Sequence, residues 1–247
     1  MAETKAVLLD YIGTLTNARG YNLDASRVKL HRALVEAGFV TSREAFLSAY
    51  CAAHEKYRIV RYEQLREVTN AVWVAEALGR LGYEASSDDP RVKAALNIFF
   101  RDYIDTLELR PYAKRLLGKI AANCKLGLVS NFTYAPVIYA SLRELGINRF
   151  FNAIVVSEEV GWRKPHEYIF QVALRRLQVK AAEAVYIGDS PVEDMEGAKA
   201  VGMKTVFVPS QFYSLRDLKE IKRQPDVVVE GLHEIFKSFN TIIALEH

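Results

Sequence analysis

Four short stretches of the sequence carry residue types that handle a charged group. They are Asp10 in AVLLDYIGTLT, Ser130-Asn131 in LGLVSNFT, Lys164-Pro165 in WRKPHEYIF, and Asp189 with Glu193 and Asp194 in VYIGDSPVEDMEG. Asp10 ends a run of apolar residues, and Gly13-Thr14 then supplies a flexible backbone and a hydroxyl for a tight turn. A carboxylate placed there serves as a nucleophile or, as readily, caps the turn. Ser130 and Asn131 offer a hydroxyl and an amide to an anionic oxygen, or form an ordinary strand-to-helix turn. Lys164 could reach over a sheet edge to neutralise paired negative charges, although a lone lysine is usually solvated. Asp189, Glu193 and Asp194 lie so close in sequence that they repel unless a cation sits among them. A single acid in a helix's first turn needs only the helix dipole. Taken in order, the stretches provide a nucleophile, a hydroxyl donor, a cation and metal ligands, the set that one phosphoryl site needs.

The elements that must hold these residues are legible as hydrophobic runs. Short apolar segments at Ala6–Asp10, Leu126–Ser130, Ala153–Ser157, Ala184–Asp189, Thr205–Pro209 and Asp226–Val229 read as strands, most of them separated by helical patterns. Near-continuous Val, Leu and Ile content predicts a parallel sheet covered by helices on both faces. Each candidate stretch then falls at a strand's carboxyl end, where open parallel sheets bind ligands.

The interval from about Thr16 to Leu107 breaks the alternation, being helical and rich in aromatics. Thr41-Ser42-Arg43-Glu44 has the form of a capping box and opens a helix expected through about Val68. Asn70–Leu81 reads as a second helix ended by Gly82, and Asp89-Pro90 starts another through Thr106. The expected organisation is an α/β core of residues 1–16 and 108–247, with an inserted α-helical cap of residues 17–107 hinged near Thr16–Tyr21 and Leu107–Pro111. Gly231–His247 reads as a terminal helix on the sheet, and Lys219–Arg223 as a solvated face.

The chain has 247 residues and a net charge of +3, with no long run of one sign, which argues against a nucleic-acid or membrane-surface binder. Cys51 and Cys124 are its only cysteines, so a disulfide framework and a CxxC zinc site are excluded, and buried structural thiols are the default. The amino-terminal residues lack the apolar stretch of a signal peptide, and no run approaches a membrane span. A cytoplasmic protein acting on a small molecule, as a monomer or homodimer, is expected.

The ordered set of Asp10 with Gly13-Thr14, Ser130-Asn131, Lys164-Pro165, and Gly188-Asp189 with Glu193-Asp194 resembles the four motifs of the haloacid dehalogenase superfamily, over nearly the whole chain. That resemblance implies a Rossmann-like parallel sheet core with the active site between core and cap. It implies Asp10 as the nucleophile of a covalent aspartyl intermediate, Ser130 and neighbouring amides as binders of the transferring group, and Lys164 as the charge-balancing cation. It further implies Mg²⁺ held by Asp10, the Ile12 carbonyl and Asp189, with Asp194 or Glu193 direct or through water.

One position departs from the pattern. The superfamily's phosphatases resemble Asp-x-Asp-x-Thr at the first motif, and their second aspartate protonates the leaving oxygen; here Ile12 stands in its place. General acid–base help is worth typically ~10²–10⁴-fold, so the substitution bears directly on phosphate-ester hydrolysis. The superfamily's 2-haloacid dehalogenases also lack that aspartate, because a halide leaves without a proton, but they carry Asp-x-Tyr where this chain has Tyr11 one place early. Asp189 and Asp194 resemble the metal-binding fourth motif. The reading is therefore a Mg²⁺-dependent phosphatase. A metal-independent dehalogenase and a catalytically impaired phosphate-binding module are the alternatives.

On the long cap helix, Tyr50, His54, Tyr57 or Arg58, and Arg61 recur at helical spacing. If that stripe faces the core, His54, Arg58 or Arg61 could touch substrate, with an arginine clamping a second anionic group and His54 supplying a proton. The competing reading pairs both arginines with nearby glutamates. Trp73, Phe99, Phe100 and Tyr103 are expected to pack cap helices together.

Overall fold

In the computed structural model, residues 3–243 are described. Each apolar run forms a strand, and two further strands flank the helical interval. In chain order these are β1 (Ala6–Leu9), β2 (Thr16–Ala18), β3 (Leu107–Leu109), β4 (Lys125–Ser130), β5 (Ala153–Val156), β6 (Ala184–Gly188), β7 (Lys204–Phe207) and β8 (Val227–Val228). Six of them build one parallel sheet in the order β5-β4-β1-β6-β7-β8. Alternation along each strand buries both faces. Val7 and Leu9 join Leu126, Leu128, Val185 and Ile187 on one side, while Ala6 and Leu8 join Val129, Val155 and Tyr186 on the other. The chain runs outward from β1 through β4 to β5, then returns to the far side of β1 for β6, β7 and β8. That reversal opens a crevice above the carboxyl end of β1.

Four helices fill the interval between β2 and β3: α1 (Leu23–Glu36), α2 (Arg43–Glu63), α3 (Asn70–Arg80) and α4 (Pro90–Asp105). They share a buried cluster that includes Leu30, Phe46, Trp73, Leu96 and Phe99. Tyr134 and Val137 enter this cluster from the start of α6 (Ala135–Glu144), which follows α5 (Ala113–Ala121), so the helical body also rests on the sheet layer. The two linkers expected to act as hinges are joined to each other. Thr16, Asn17 and Ala18 pair antiparallel with Leu109, Glu108 and Leu107.

Local sequence signals hold for α3 and α4 and fail in part for α2. Asp89 caps α4 by accepting from the Arg91 N–H at 2.8 Å. At α2 the cap is Ser42, accepting from Ala45 N–H at 3.2 Å, so Glu44 falls outside the reciprocal position and no capping box forms. Helix α2 also stops at Glu63 rather than near Val68. Beyond it Leu65 adopts φ 55°, and the main chain turns to bond the sheet body: Arg163 N–H to Leu65 O at 3.0 Å, Glu67 N–H to Gly161 O at 3.0 Å, and Asn70 N–H to Thr133 O at 3.2 Å. Tertiary bonds here outbid the i→i−4 ladder that local pattern favoured.

The expected terminal helix is broken at Ser238 into Leu232–Lys237 and Phe239–Ile243, and residues 244–247 lie outside the described residues. The cysteines depart from expectation: Cys51 is exposed and Cys124 half-buried. Lys219, Lys222 and Arg223 are exposed as expected, with Leu218 and Ile221 buried between them. No described helix is long and apolar enough to cross a membrane.

Candidate active site

At the carboxyl edge of β1, Asp10 is buried, and its Oδ1 accepts from Lys164 Nζ at 2.7 Å. The same ammonium donates to Asp194 Oδ1 at 2.6 Å and to the Tyr186 hydroxyl at 3.1 Å. Lys164 is held from behind by Asn131: the Lys164 N–H donates to Asn131 Oδ1 at 2.7 Å, and the Asn131 amide donates to the Lys164 carbonyl at 3.0 Å. Both polar atoms of Asn131 thus serve the loop that carries Lys164, while the residue also lines the cavity. Ser130, at the end of β4, is buried and lines the cavity.

Asp189 ends β6, where Thr14 donates to its Oδ1 at 3.1 Å and Ser210 to its Oδ2 at 2.6 Å. Thr14 is fully buried, and its hydroxyl is directed at this carboxylate. Gly13 is required beside it. Its φ is +101°, and a Cβ there would stand 2.3 Å from Asp189 Oδ2. Gly188 is equally constrained, since a Cβ would meet the Asp194 carboxylate at 2.4 Å. Asp194 lies in the π-helical turn Pro191–Glu196 and is saturated with donors. Beyond Lys164, it accepts from Tyr186 at 3.0 Å, Asp189 N–H at 3.1 Å and Ser190 N–H at 2.9 Å.

Glu193, expected near a metal, lines the same cavity but lies outside the three-carboxylate group and pairs with Arg163 at 3.0 Å. The register explains this: Asp194 points back over the strand end, so its neighbour must point elsewhere. Arg163, which the sequence reading missed, is 4% exposed and also lies 3.8 Å from Glu67. Tyr186, Ser210 and Arg110 were missed as well. Arg110 donates to the Gly13 carbonyl and, at 2.8 Å, to that of Pro209, tying the β1 and β7 loops together. A hydroxyl on an otherwise apolar buried strand was the available signal for Tyr186. Nothing local marked the arginines.

Asp10, Asp189 and Asp194 each bring an oxygen to within 4.8 Å of the others, with one ammonium between them. Burial, only partly offset by Lys164, pushes Asp10 up to about 6, with Asp194 adding to the rise. Burial and the charges of Asp10 and Asp194 push Asp189 up to about 8. Burial works against the Lys164 ammonium, yet Asp10 and Asp194 outweigh it and hold its pKa well above the usual value. Asp10 Oδ2 is buried and has no hydrogen-bond partner. A crowded all-oxygen set with one carboxylate oxygen unsatisfied fits a hard divalent cation.

Above this cluster lies a cavity of about 500 Å³, walled on its other side by the helical body. His54 and Arg61 line it; Arg58 does not, being an exposed side chain clamped by Glu55 at 2.8 Å. Arg61 is buried and paired with Glu67 at 2.6 Å, whose carboxylate is fully buried and also accepts from Ser157 Oγ at 2.6 Å. Burial, then the charges of Arg61 and Arg27, lower the His54 pKa. Ile12 is half-buried and lines the cavity. Tyr11 points the other way, its hydroxyl donating to Ser141 at 2.9 Å in the core. Trp73, Phe99, Phe100 and Tyr103, expected as packing alone, pack and also form cavity wall.

Residues 4–202 match the haloacid dehalogenase-like hydrolase family. The chain belongs to that family. The hydrolase is 31% identical over 94% of its length to glyceraldehyde 3-phosphate phosphatase of Methanopyrus kandleri, covering 95% of that protein. It is 29% identical over 93% of its length to ribulose-1,5-bisphosphate 5-phosphatase of Halopiger xanaduensis, covering 97% of that relative. Among solved structures, a 2-haloacid dehalogenase from Pseudomonas syringae superposes with TM-score 0.66 at 22% identity, over 98% of both chains. A phosphatase from Thermococcus onnurineus gives 0.55 at 22% identity, over 96% of the hydrolase and 98% of that chain. Both chemistries share the fold, so the fold establishes the α/β class and does not choose between them.

Proposed function

We propose that this hydrolase is a Mg²⁺-dependent phosphomonoesterase acting on a small phosphorylated metabolite through an aspartyl-phosphate on Asp10. The observation that carries the reading is the state of Asp10 itself. One oxygen is held by Lys164, the other is buried without a partner, and the carboxylate brings an oxygen within 4.8 Å of those of Asp189 and Asp194. Asp10, Asp189 and the Ile12 carbonyl would hold the ion, with Asp194 behind them as the anchor of Lys164. A bound Mg²⁺ would neutralise the phosphate's charge and orient it for in-line attack. Asp10 attacks phosphorus as the P–O ester bond breaks, the departing oxygen takes a proton from solvent, and Ser130 and Lys164 steady the transferring group until water cleaves the acyl phosphate and returns a proton to solvent, releasing phosphate and the Asp10 carboxylate. The named activities of the relatives support the reaction type. Residues 17–107 are read as a cap over a core of residues 1–16 and 108–247, working in the cytoplasm as a monomer or homodimer.

Ile12 cannot protonate the departing oxygen. Esters with acidic leaving groups, such as aryl phosphates, therefore turn over fastest. The dehalogenase alternative draws no support from Tyr11, which is turned into the core. The test is phosphate release from an aryl phosphate with Mg²⁺ and with EDTA. Release that needs metal and disappears in Asp10→Asn supports the reading. Halide release from a 2-haloacid in EDTA would replace it with dehalogenation, and ligand binding without turnover would replace it with the binding module.

A further inference from the structure

Asp189 carries a hydroxyl on each of its oxygens, Thr14 on Oδ1 and Ser210 on Oδ2. Thr14 belongs to the turn that follows β1. Ser210 comes from the loop after β7, outside the four strand-end stretches. A serine hydroxyl has one proton and two lone pairs, and usually rotates to suit its surroundings. This one has no second choice. Phe212 N–H donates to Ser210 Oγ at 2.9 Å and Tyr213 N–H at 3.2 Å, so both lone pairs are engaged. The proton is left with Asp189 Oδ2 at 2.6 Å, and its direction is set by the main chain of the loop.

That loop is itself fastened from several sides. Ser210 N–H donates to Tyr213 O at 2.8 Å and closes the turn, while Val208 N–H donates at 2.9 Å to Gly188 O, one residue before Asp189. Arg110 reaches the Pro209 carbonyl at 2.8 Å, and the Gln211 amide reaches the Ala18 carbonyl at 2.9 Å. Ala18 ends β2 and Arg110 follows β3, so both anchors belong to the paired linkers of the helical body. Gly13 closes another side of the carboxylate, since its backbone comes too near Oδ2 for any Cβ. Two directed protons and this backbone leave Asp189 one plane to occupy. Each oxygen still keeps a lone pair for an ion.

We propose that Ser210 is a positioning residue for the cation site, fixing the plane in which Asp189 presents its carboxylate. This rests on the Mg²⁺ reading of the carboxylate cluster and goes beyond it by assigning a residue from a different loop. The consequence is selective. Mg²⁺ demands near-octahedral geometry, whereas Ca²⁺ accepts roughly six to eight oxygens in flexible arrangements. Loss of orientation at one ligand therefore penalises Mg²⁺ more than Ca²⁺. Groups that orient a metal ligand are worth about 10–100-fold in affinity.

The test is calorimetric titration of the whole protein with Mg²⁺ alone and with Ca²⁺ alone. Ser210→Ala should bind Mg²⁺ about tenfold more weakly or worse, with a smaller loss for Ca²⁺. Ser210→Thr, which retains the hydroxyl, should restore the wild-type preference. Should the alanine variant not fold, Ser210→Cys keeps the shape with only a weak donor, and the same shift is expected. Unchanged Mg²⁺ affinity, or an equal loss for both ions, would overturn the proposal, because a general weakening of the fold has no reason to distinguish them. Wild-type protein that binds neither ion would instead remove the Mg²⁺ reading. A crystal structure of metal-free Ser210→Ala then decides the matter. An Asp189 carboxylate turned out of its wild-type plane supports the positioning role, and one held within about 0.5 Å of it overturns that role.

Discussion

The two walls of the cavity are built on opposite principles. On the sheet side, the groups around Asp10 are over-determined: Lys164 has three partners, Asp194 accepts from four donors, and Asp189 is held by two hydroxyls, while Asp10 itself keeps one oxygen unpartnered. On the helical side, ion pairs are local, and the cavity-lining residues that carry an unpartnered atom are Tyr21, Arg27, Asn70 and Trp73. Preorganised charge suits a step common to many substrates, because dipoles fixed in advance need no reorganisation. Loosely satisfied polar edges suit selection, because an analogue that leaves them unpaired is penalised.

The sharpest way to break the sheet-side wall is Lys164→Met. It would leave Asp10 and Asp194 buried without their cation, and removing one partner of a buried pair costs about 3–5 kcal/mol. A large fall in Tm is expected, measured by calorimetry in EDTA, together with loss of phosphate release; an unchanged Tm would show that the cluster is not under electrostatic load.

Ile12→Asp probes the missing proton. With Mg²⁺ present, alkyl phosphate turnover should rise toward the ~10²–10⁴-fold range of general acid–base help, while aryl phosphate turnover changes little. No gain in a folded variant would count against the phosphatase framework.

Next is pH. In metal-free protein, Asp10 at about 6 and Asp189 at about 8 sit above their ordinary value of 3.8. The folded state then holds protons that the unfolded state has released. The stability they contribute is complete below about pH 4 and is lost as pH rises through about 6 and then 8. Melting in EDTA should fall between pH 5 and 8.5, and Mg²⁺ should restore more at 8.5 than at 5, where protons compete for the same oxygens.

The smallest effect is expected from Arg58→Ala. Its side chain is exposed, held by Glu55, and off the cavity, so steady-state kinetics and Tm should stay within error. A raised KM would bring Arg58 back to the substrate-facing wall.

The sequence read these walls unequally. Asp10, Ser130, Lys164, Asp189 and Asp194 were found because each follows a buried strand, and a parallel sheet brings strand ends to one edge whatever the loops do. Glu193 and Arg58 lie outside the carboxylate cluster and off the cavity wall respectively, because neighbours in sequence share composition but not direction. A single register step sent Glu193 to Arg163 while Asp194 turned to Lys164. The extent of α2 was overestimated because helical pattern is local, and the bonds that end it come from Gly161 and Arg163, about a hundred residues away in the chain.

Hydrophobic period and strand-end chemistry, both short-range properties, therefore determined the sheet, the helical insertion and the charged half of the site. Only the tertiary structure decided how the arginines are paired, that Asn131 and Thr14 support other residues, and which polar edges are left without a partner. Those outcomes depend on pairings between distant segments, such as Glu67 with Ser157 and Asn70 with Thr133. No local pattern of residues encodes them, because the energy of a buried polar group is set by whatever the fold brings beside it.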